Sequence, residues 1–188
     1  MLVEKIREYL GVENKRKNIL GEGFEDVIGA VVRKKVGALF DVRKRAVLHE
    51  LPGFARAREG EKTNRVDVAL LRNDGGRKTL VTAKWSIRAD RERQFSSDLN
   101  DYIAARADLR PFDYVLVTNE FDPARLMRAC QSLASNDYMF AYVVHVSTDA
   151  LLAAYGESRE ESARVVMRYI ADNRLIGIDD WLGRLVSA

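Results

Sequence analysis

The chain of 188 residues has one cysteine, Cys130, and three prolines, so little in it staples or breaks the backbone. A lone cysteine excludes an intramolecular disulfide and any cysteine-rich metal site, and a reducing cytoplasm is the expected compartment. Only two histidines are present, His49 and His145; far apart in sequence, they read as satisfied core or surface residues rather than metal ligands. No stretch approaches the roughly 20 apolar residues of a membrane span. The opening Met1-Leu2-Val3-Glu4-Lys5 carries no apolar run of signal-peptide length, and no membrane partner is expected. Gly21-x-Gly23 does not follow a strand, so a nucleotide-cradling loop is not expected there. Without repeats, low-complexity tracts or a linker, residues 1–188 read as one domain. Its core would span about residues 21–146, with a helical extension over 147–188.

What is present is a hydrophobic content of 47%, enough for an ordered core, and an uneven distribution of charge. Between Arg33 and Lys62 nine Lys or Arg face four Asp or Glu, whereas from Ser147 to Ala188 five face seven. A basic middle suits one face turned to a polyanion, although charged residues also simply solvate helix faces. Lys15, Arg16, Lys17, Arg33, Lys34, Lys35, Arg43, Lys44 and Arg45 are candidate phosphate contacts, of the kind that position a protein without reading sequence.

Apolar spacing predicts a short helix over Leu2–Leu10 and a longer one from Gly21 to about Ala38, on which Phe24, Val27, Ile28, Val31 and Val36 recur. Glu25 falls at the border of that stripe. Val42–Leu51 reads as an edge strand. A helix is expected over Arg91–Arg106, a buried strand over Tyr114–Thr118, and a helix started by Asp122-Pro123 and continuing through Leu133. A strand over Phe140–Val146, a helix capped by Thr148-Asp149 and running through Tyr155, and helices over Glu157–Asn173 and Asp179–Val186 complete the order. Helices alternating with strands predict an α/β fold, a mixed central sheet flanked by helices. Trp85 and Trp181 read as core residues, and Cys130 as packing on an apolar helix face.

Two apolar runs, Val66–Leu71 and Leu80–Trp85, flank Asn73-Asp74-Gly75-Gly76-Arg77, which marks a hairpin. A turn centred on the two glycines pairs positions that sum to 151 and puts Asp67 opposite Lys84. A carboxylate beside an ammonium is the start of a phosphodiesterase site, where oxygens hold a hard cation and positive charge meets the developing phosphate charge. Asp67 is the candidate metal ligand, Lys84 the group acting on water or phosphate, and the Ala83 carbonyl a further oxygen. Glu25 and Asp98, on the borders of their helices, are the acids available to close the site. The plain alternative for Asp67 and Lys84 is a cross-strand ion pair. Beyond the lysine, Arg88, Asp90 and Arg91 have the donors and acceptor to read neighbouring G·C pairs: arginine donates to guanine O6 and N7, and aspartate accepts from cytosine N4. A solvated helix start capped by Asp90 is the alternative there.

Asp67 followed by Thr82-x-Lys84, with Arg88-x-Asp90-Arg91 at fixed offset, resembles the PD-(D/E)XK nucleases, specifically type II restriction endonucleases that recognise a CCGG or related CC/GG core. The similarity runs from about Gly21 to Thr118. In that group a small hydroxyl residue replaces the acid before the lysine, and a carboxylate fourteen residues after it takes over. Here these are Thr82 and Asp98, the latter an Asp where the family usually has Glu. Val66 stands where a proline precedes the first Asp, and Glu25, or else Glu22, matches the upstream helical acid. The resemblance implies a restriction-endonuclease-like fold, Mg²⁺ with Mn²⁺ as substitute, double-stranded DNA as substrate and a homodimer matched to a palindrome. It implies metal ligation by Asp67, Asp98 and the Ala83 carbonyl, catalysis by Asp67, Lys84, Asp98 and Glu25, and base reading by Arg88, Asp90 and Arg91. A repair or structure-specific nuclease, or a DNA-binding module that has lost catalysis, are the alternatives.

Overall fold

The computed structural model describes residues 20–55, 64–108 and 110–187, with the backbone alone for residues 89–92. The expected helix over Leu2–Leu10 and the cations Lys15, Arg16 and Lys17 lie outside the described residues. Helix α1 covers residues 20–36. It is followed by strand β1 (Phe40–Val47), β2 (Arg65–Arg72), β3 (Lys78–Lys84), helix α2 (Ala89–Ala105), β4 (Phe112–Thr118) and α3 (Pro123–Gln131). A two-stranded ribbon, β5 (Leu133–Ala134) and β6 (Asp137–Tyr138), precedes β7 (Tyr142–His145), α4 (Thr148–Tyr155), α5 (Glu161–Ala171), β8 (Leu175–Gly177) and α6 (Ile178–Ser187).

Six strands form one mixed sheet in the order β1-β2-β3-β4-β7-β8, antiparallel across the first three and parallel from β3 to β8. The architecture is α/β, a mixed sheet with helices on both faces. One face buries Leu80, Tyr114, Leu116 and Val143 beneath Phe95, Leu99 and Tyr102 of α2, Leu126 of α3 and Val166 of α5. The other buries Val68, Leu70, Val81, Val115 and Val117 beneath Phe24, Ile28 and Val32 of α1 and Trp181 of α6. Each such side chain, fully buried, contributes roughly 1.5–3 kcal/mol. Runs without polar interruption, such as Tyr114–Val117, are what a strand covered on both faces requires.

Several elements depart from the sequence expectations for identifiable reasons. The helix begun by Asp122, whose carboxylate caps Arg125 N at 3.1 Å, ends at Gln131 rather than running through Leu133. Leu133 instead enters the small ribbon, whose turn puts Ser135 at φ 58°. The cap of α4 is Ser147, accepting from Ala150 N, rather than Thr148. Strand β8 is absent from the sequence expectations, because three residues are too short to show a period.

The hairpin register is also shifted. Val68, Ala69 and Leu70 pair with Val81, Leu80 and Thr79, so facing positions sum to 149 and the turn centres on Asp74-Gly75. Gly75 N donates to Arg72 O at 3.0 Å, and of the two glycines only Gly75, at φ +76°, adopts the left-handed backbone. The displacement is by two, and side chains alternate with period two, so Asp67 and Lys84 still share a face. They meet diagonally rather than directly across.

Candidate active site

Because β2 and β3 are antiparallel, the start of β2 and the end of β3 lie at the same end of the sheet. There the ladder between β2 and β3 stops at Val68↔Val81. Past that pair the Asp67 side chain takes the place of a backbone partner. Its Oδ2 accepts from Ala83 N at 2.9 Å, from Thr82 Oγ1 at 3.3 Å and from Lys84 Nζ at 2.7 Å. In an extended strand a residue's N–H and C=O point to the same edge, so the Ala83 carbonyl also faces the opening that Asp67 fills.

Alternation fails on the β1–β2 pair at this level. Val42 and Val68 belong to the core under α1, but Ala46 and Val66 belong to the opposite core. Pairing keeps its count on both sides, with Lys44↔Val68 and Ala46↔Val66. The residue between, Arg45, sits at φ 47°, a left-handed conformation uncommon for any side chain but glycine. The reversal lies directly opposite Asp67. It turns the Arg45 guanidinium toward α1, where Nε lies 3.4 Å from Glu25 Oε2 and a terminal nitrogen 3.3 Å from the Glu22 carbonyl. Nearby, the stem of Lys44 crosses α1 over Gly29, where a Cβ would meet it at 2.5 Å, and its ammonium reaches Asp26 at 2.7 Å.

Glu25 is therefore brought to the same spot as Asp67 and Lys84. Its Oε1 lies 3.6 Å from Lys84 Nζ, and the three side chains are mostly covered, at 18–22% exposure. Burial pushes the Glu25 carboxyl up, the neighbouring Asp67 charge pushes it further, and Lys84 and Arg45 offset only part of this. Helical spacing put this acid at the border of the α1 stripe; Glu22 lends its carbonyl to Arg45, and its charge also acts on that guanidinium.

Asp98 is half-buried on α2. Burial, then Asp98, then Asp67 raise the Tyr102 hydroxyl, and the same two carboxylates also act on Tyr114, so both acids lie within electrostatic reach of one pair of phenols. The Tyr114 hydroxyl is buried beside Thr82 but outside hydrogen-bond geometry. Among the described residues no group of three or more His, Cys, Asp or Glu is spaced to hold a metal ion as the side chains now lie. Asp67, Glu25 and the Ala83 carbonyl nevertheless fit a hard cation chemically. They are oxygen donors, and the two carboxylates repel each other in a partly dry setting.

Arg88 occupies the N-cap position of α2 with no capping bond from its side chain, and is exposed. Asp90 and Arg91 lie in the first turn, so Asp90 is inside the helix rather than its cap. Their side chains lie outside the described residues. Of the basic candidates, Arg33 donates to the Val42 carbonyl, Arg43 pairs with Asp41, and Lys34 and Lys35 are exposed. Trp85 is no core residue: β3 ends at Lys84, and the indole stands 48% exposed with an edge-to-face contact to Phe24 at 5.7 Å.

One acid escaped the sequence reading. Glu120, buried just past β4, accepts from Ser86 Oγ at 2.9 Å, Ile87 N at 2.7 Å, Asp122 N at 2.9 Å and Arg125 at 3.4 Å. It fastens the chain that leaves Lys84. Its only sequence mark is its place directly after a buried strand, where α/β sheets commonly build sites. His145 is satisfied in the core, with Nε2 3.0 Å from the Glu120 carbonyl and Nδ1 3.0 Å from the Ser147 amide. Burial pushes the Cys130 thiol up to about 12, consistent with packing alone.

The chain matches no protein-family model and no curated protein. No helix among the described residues is long and apolar enough to cross a membrane.

Proposed function

We propose that this protein is a metal-dependent nuclease with a restriction-endonuclease-like fold. It hydrolyses phosphodiester bonds of double-stranded DNA at a short sequence with a CC/GG core, as type II restriction endonucleases do, and acts as a cytoplasmic homodimer. The observation that carries this reading is the meeting of Asp67, Lys84 and Glu25 where β2 and β3 part. An ordinary cross-strand ion pair would need neither the second acid nor an open ladder.

Asp67, Glu25 and the Ala83 carbonyl would hold Mg²⁺ or Mn²⁺, with Asp98 drawn in from α2. When bound, the ion supplies Lewis acidity and a more acidic water. Lys84 presents its ammonium to the phosphate and stabilises the charge that develops there. Thr82 and the Ala83 amide fix Asp67 in one orientation. Arg88, Asp90 and Arg91 open α2 just beyond Lys84, where a major-groove contact with G·C pairs suits their chemistry.

The test is plasmid digestion with Mg²⁺. Lys84→Ala is expected to lose at least about a hundred-fold in cleavage, the scale of removing one preorganised electrostatic group; wild-type cleavage by this variant overturns the assignment. Trp85 favours a second reading, a repair or structure-specific nuclease, because a half-exposed indole beside the acids is a stacking surface for an unpaired base. Cut ends mapped on a random-sequence library separate the two, since a structure-specific enzyme gives no consensus. Binding without hydrolysis in either metal leaves only a DNA-binding module.

A further inference from the structure

We propose that Arg45 is a DNA-operated latch on the candidate metal-binding acids: it ties up Glu25 in the free protein, and a backbone phosphate arriving at the edge strand takes the guanidinium over. The inference rests on the nuclease reading and adds a regulatory contact that the cluster of acids alone does not imply.

Three observations carry it. First, the Arg45 backbone adopts its left-handed conformation between two correctly paired neighbours, and conformations of this kind persist where the surroundings over-determine them, often at functional sites. Second, the polar distances that this reversal gives the guanidinium are long. They measure 3.4 Å to Glu25, 3.3 Å to the Glu22 carbonyl and 3.7 Å to Asp26, and none has the short bidentate geometry of a committed arginine–carboxylate pair. The neighbouring Lys44–Asp26 ion pair at 2.7 Å shows what a committed pair looks like on the same strand. Third, the Arg45 side chain is 43% exposed on β1, an edge strand of the sheet, and Arg45 lies between the residues paired with Val68 and Val66, level with Asp67. One strand spacing, about 4.8 Å, separates the backbone of Arg45 from that of the acid that the scissile phosphate must approach.

A planar fork of donors matches a phosphate better than it matches the present set of a carboxylate edge, a carbonyl and a distant second acid. When DNA is bound, Arg45 moves to the phosphate and Glu25 is left with Lys84 and Asp67, free to turn its oxygens to a cation. DNA and metal then bind with positive coupling, and the coupling is reciprocal.

The experiment measures Mn²⁺ binding by loss of the free-ion paramagnetic resonance signal, with and without a short phosphorothioate duplex that resists hydrolysis. The variant is Arg45→Gly, which removes the guanidinium and suits the left-handed backbone, so that folding is expected to be kept. A thermal melt of each protein checks this. In wild type the duplex is expected to tighten Mn²⁺ binding by about ten-fold, within the usual range of coupling between sites. Arg45→Gly without DNA is expected to bind Mn²⁺ nearly as tightly as wild type with DNA, and to tighten little more when the duplex is added. Equal Mn²⁺ affinity of variant and wild type in the absence of DNA overturns the latch and leaves the metal site standing. Failure of every form to bind Mn²⁺, with or without the duplex, removes the metal site and the latch together.

Discussion

Glu25 and Glu120 are both largely removed from water near the ends of β3 and β4, and their surroundings push them in opposite directions. Burial raises each carboxyl. At Glu120 that push is outweighed by the Asp122 and Ile87 amides, the Ser86 hydroxyl and Arg125, which hold the acid below the usual carboxylate range. At Glu25 burial is reinforced by the Asp67 charge, and no backbone amide among the described residues offsets it. A carboxylate whose hydrogen-bonding capacity is filled by the chain is a fastening. One left beside a like charge, with long distances to two cations, is a group arranged for something that arrives later.

The sharpest way to break this contrast is to neutralise one acid of each cluster. Asp67→Asn keeps shape and volume but removes the charge that Lys84 and the candidate cation require. DNA cleavage is expected to fall by at least about a hundred-fold, with thermal unfolding little changed. Glu120→Ala is expected to act the other way round. It strips four donors of their acceptor, and hydrogen bonds to a charged group contribute about 1.5–3 kcal/mol. Urea unfolding should therefore show a loss of at least about 2 kcal/mol, while cleavage falls only in proportion to the folded fraction. The pH dependence follows from the lowered carboxyl: its contribution is present above the unfolded-state value and is lost as pH falls through the folded one. The stability gap between wild type and Glu120→Ala should accordingly narrow in acid. Equal gaps at neutral and acidic pH would contradict the fastening role.

How much of this was legible in the sequence differs between the two acids. Glu25 was accessible because helical periodicity locates a border residue, and Asp67 and Lys84 because their shared face depends only on the parity of the hairpin register. Parity survived the error of two in that register, which came from assigning the turn to both glycines when only Gly75 needs a left-handed backbone. Glu120 was not legible, since its four donors come from residues 86, 87, 122 and 125, which only the fold brings together. The reversal at Arg45 was hidden for a related reason. Nothing in Arg43-Lys44-Arg45 marks a left-handed residue, and the conformation is set by the two cores that exchange sides there. Asp98 lies between these cases: α2 forms as expected and carries it within electrostatic reach of the phenols that Asp67 also influences, but its place on a helix border did not by itself show that.

The smallest effect tests the Glu25 half of the comparison. Because its carboxyl is raised, the folded chain holds that proton more tightly than the unfolded chain, so the acid's contribution to stability declines as pH rises through its folded value. At neutral pH the ionised Glu25 works against folding, and Lys84 and Arg45 offset this only in part. Glu25→Gln removes the charge and keeps one oxygen, enough for one of the two cations that now meet separate carboxylate oxygens. It is expected to raise stability by less than about 1 kcal/mol at neutral pH, near the limit of what a single surface-border change does. The increase should vanish once pH falls below the ordinary glutamate value of about 4.3, where both proteins carry a neutral side chain. Denaturant titrations at the two pH values measure this directly. A loss of stability at neutral pH would mean that Lys84 and Arg45 outweigh burial and the Asp67 charge, and Glu25 would then be a fastening of the same kind as Glu120.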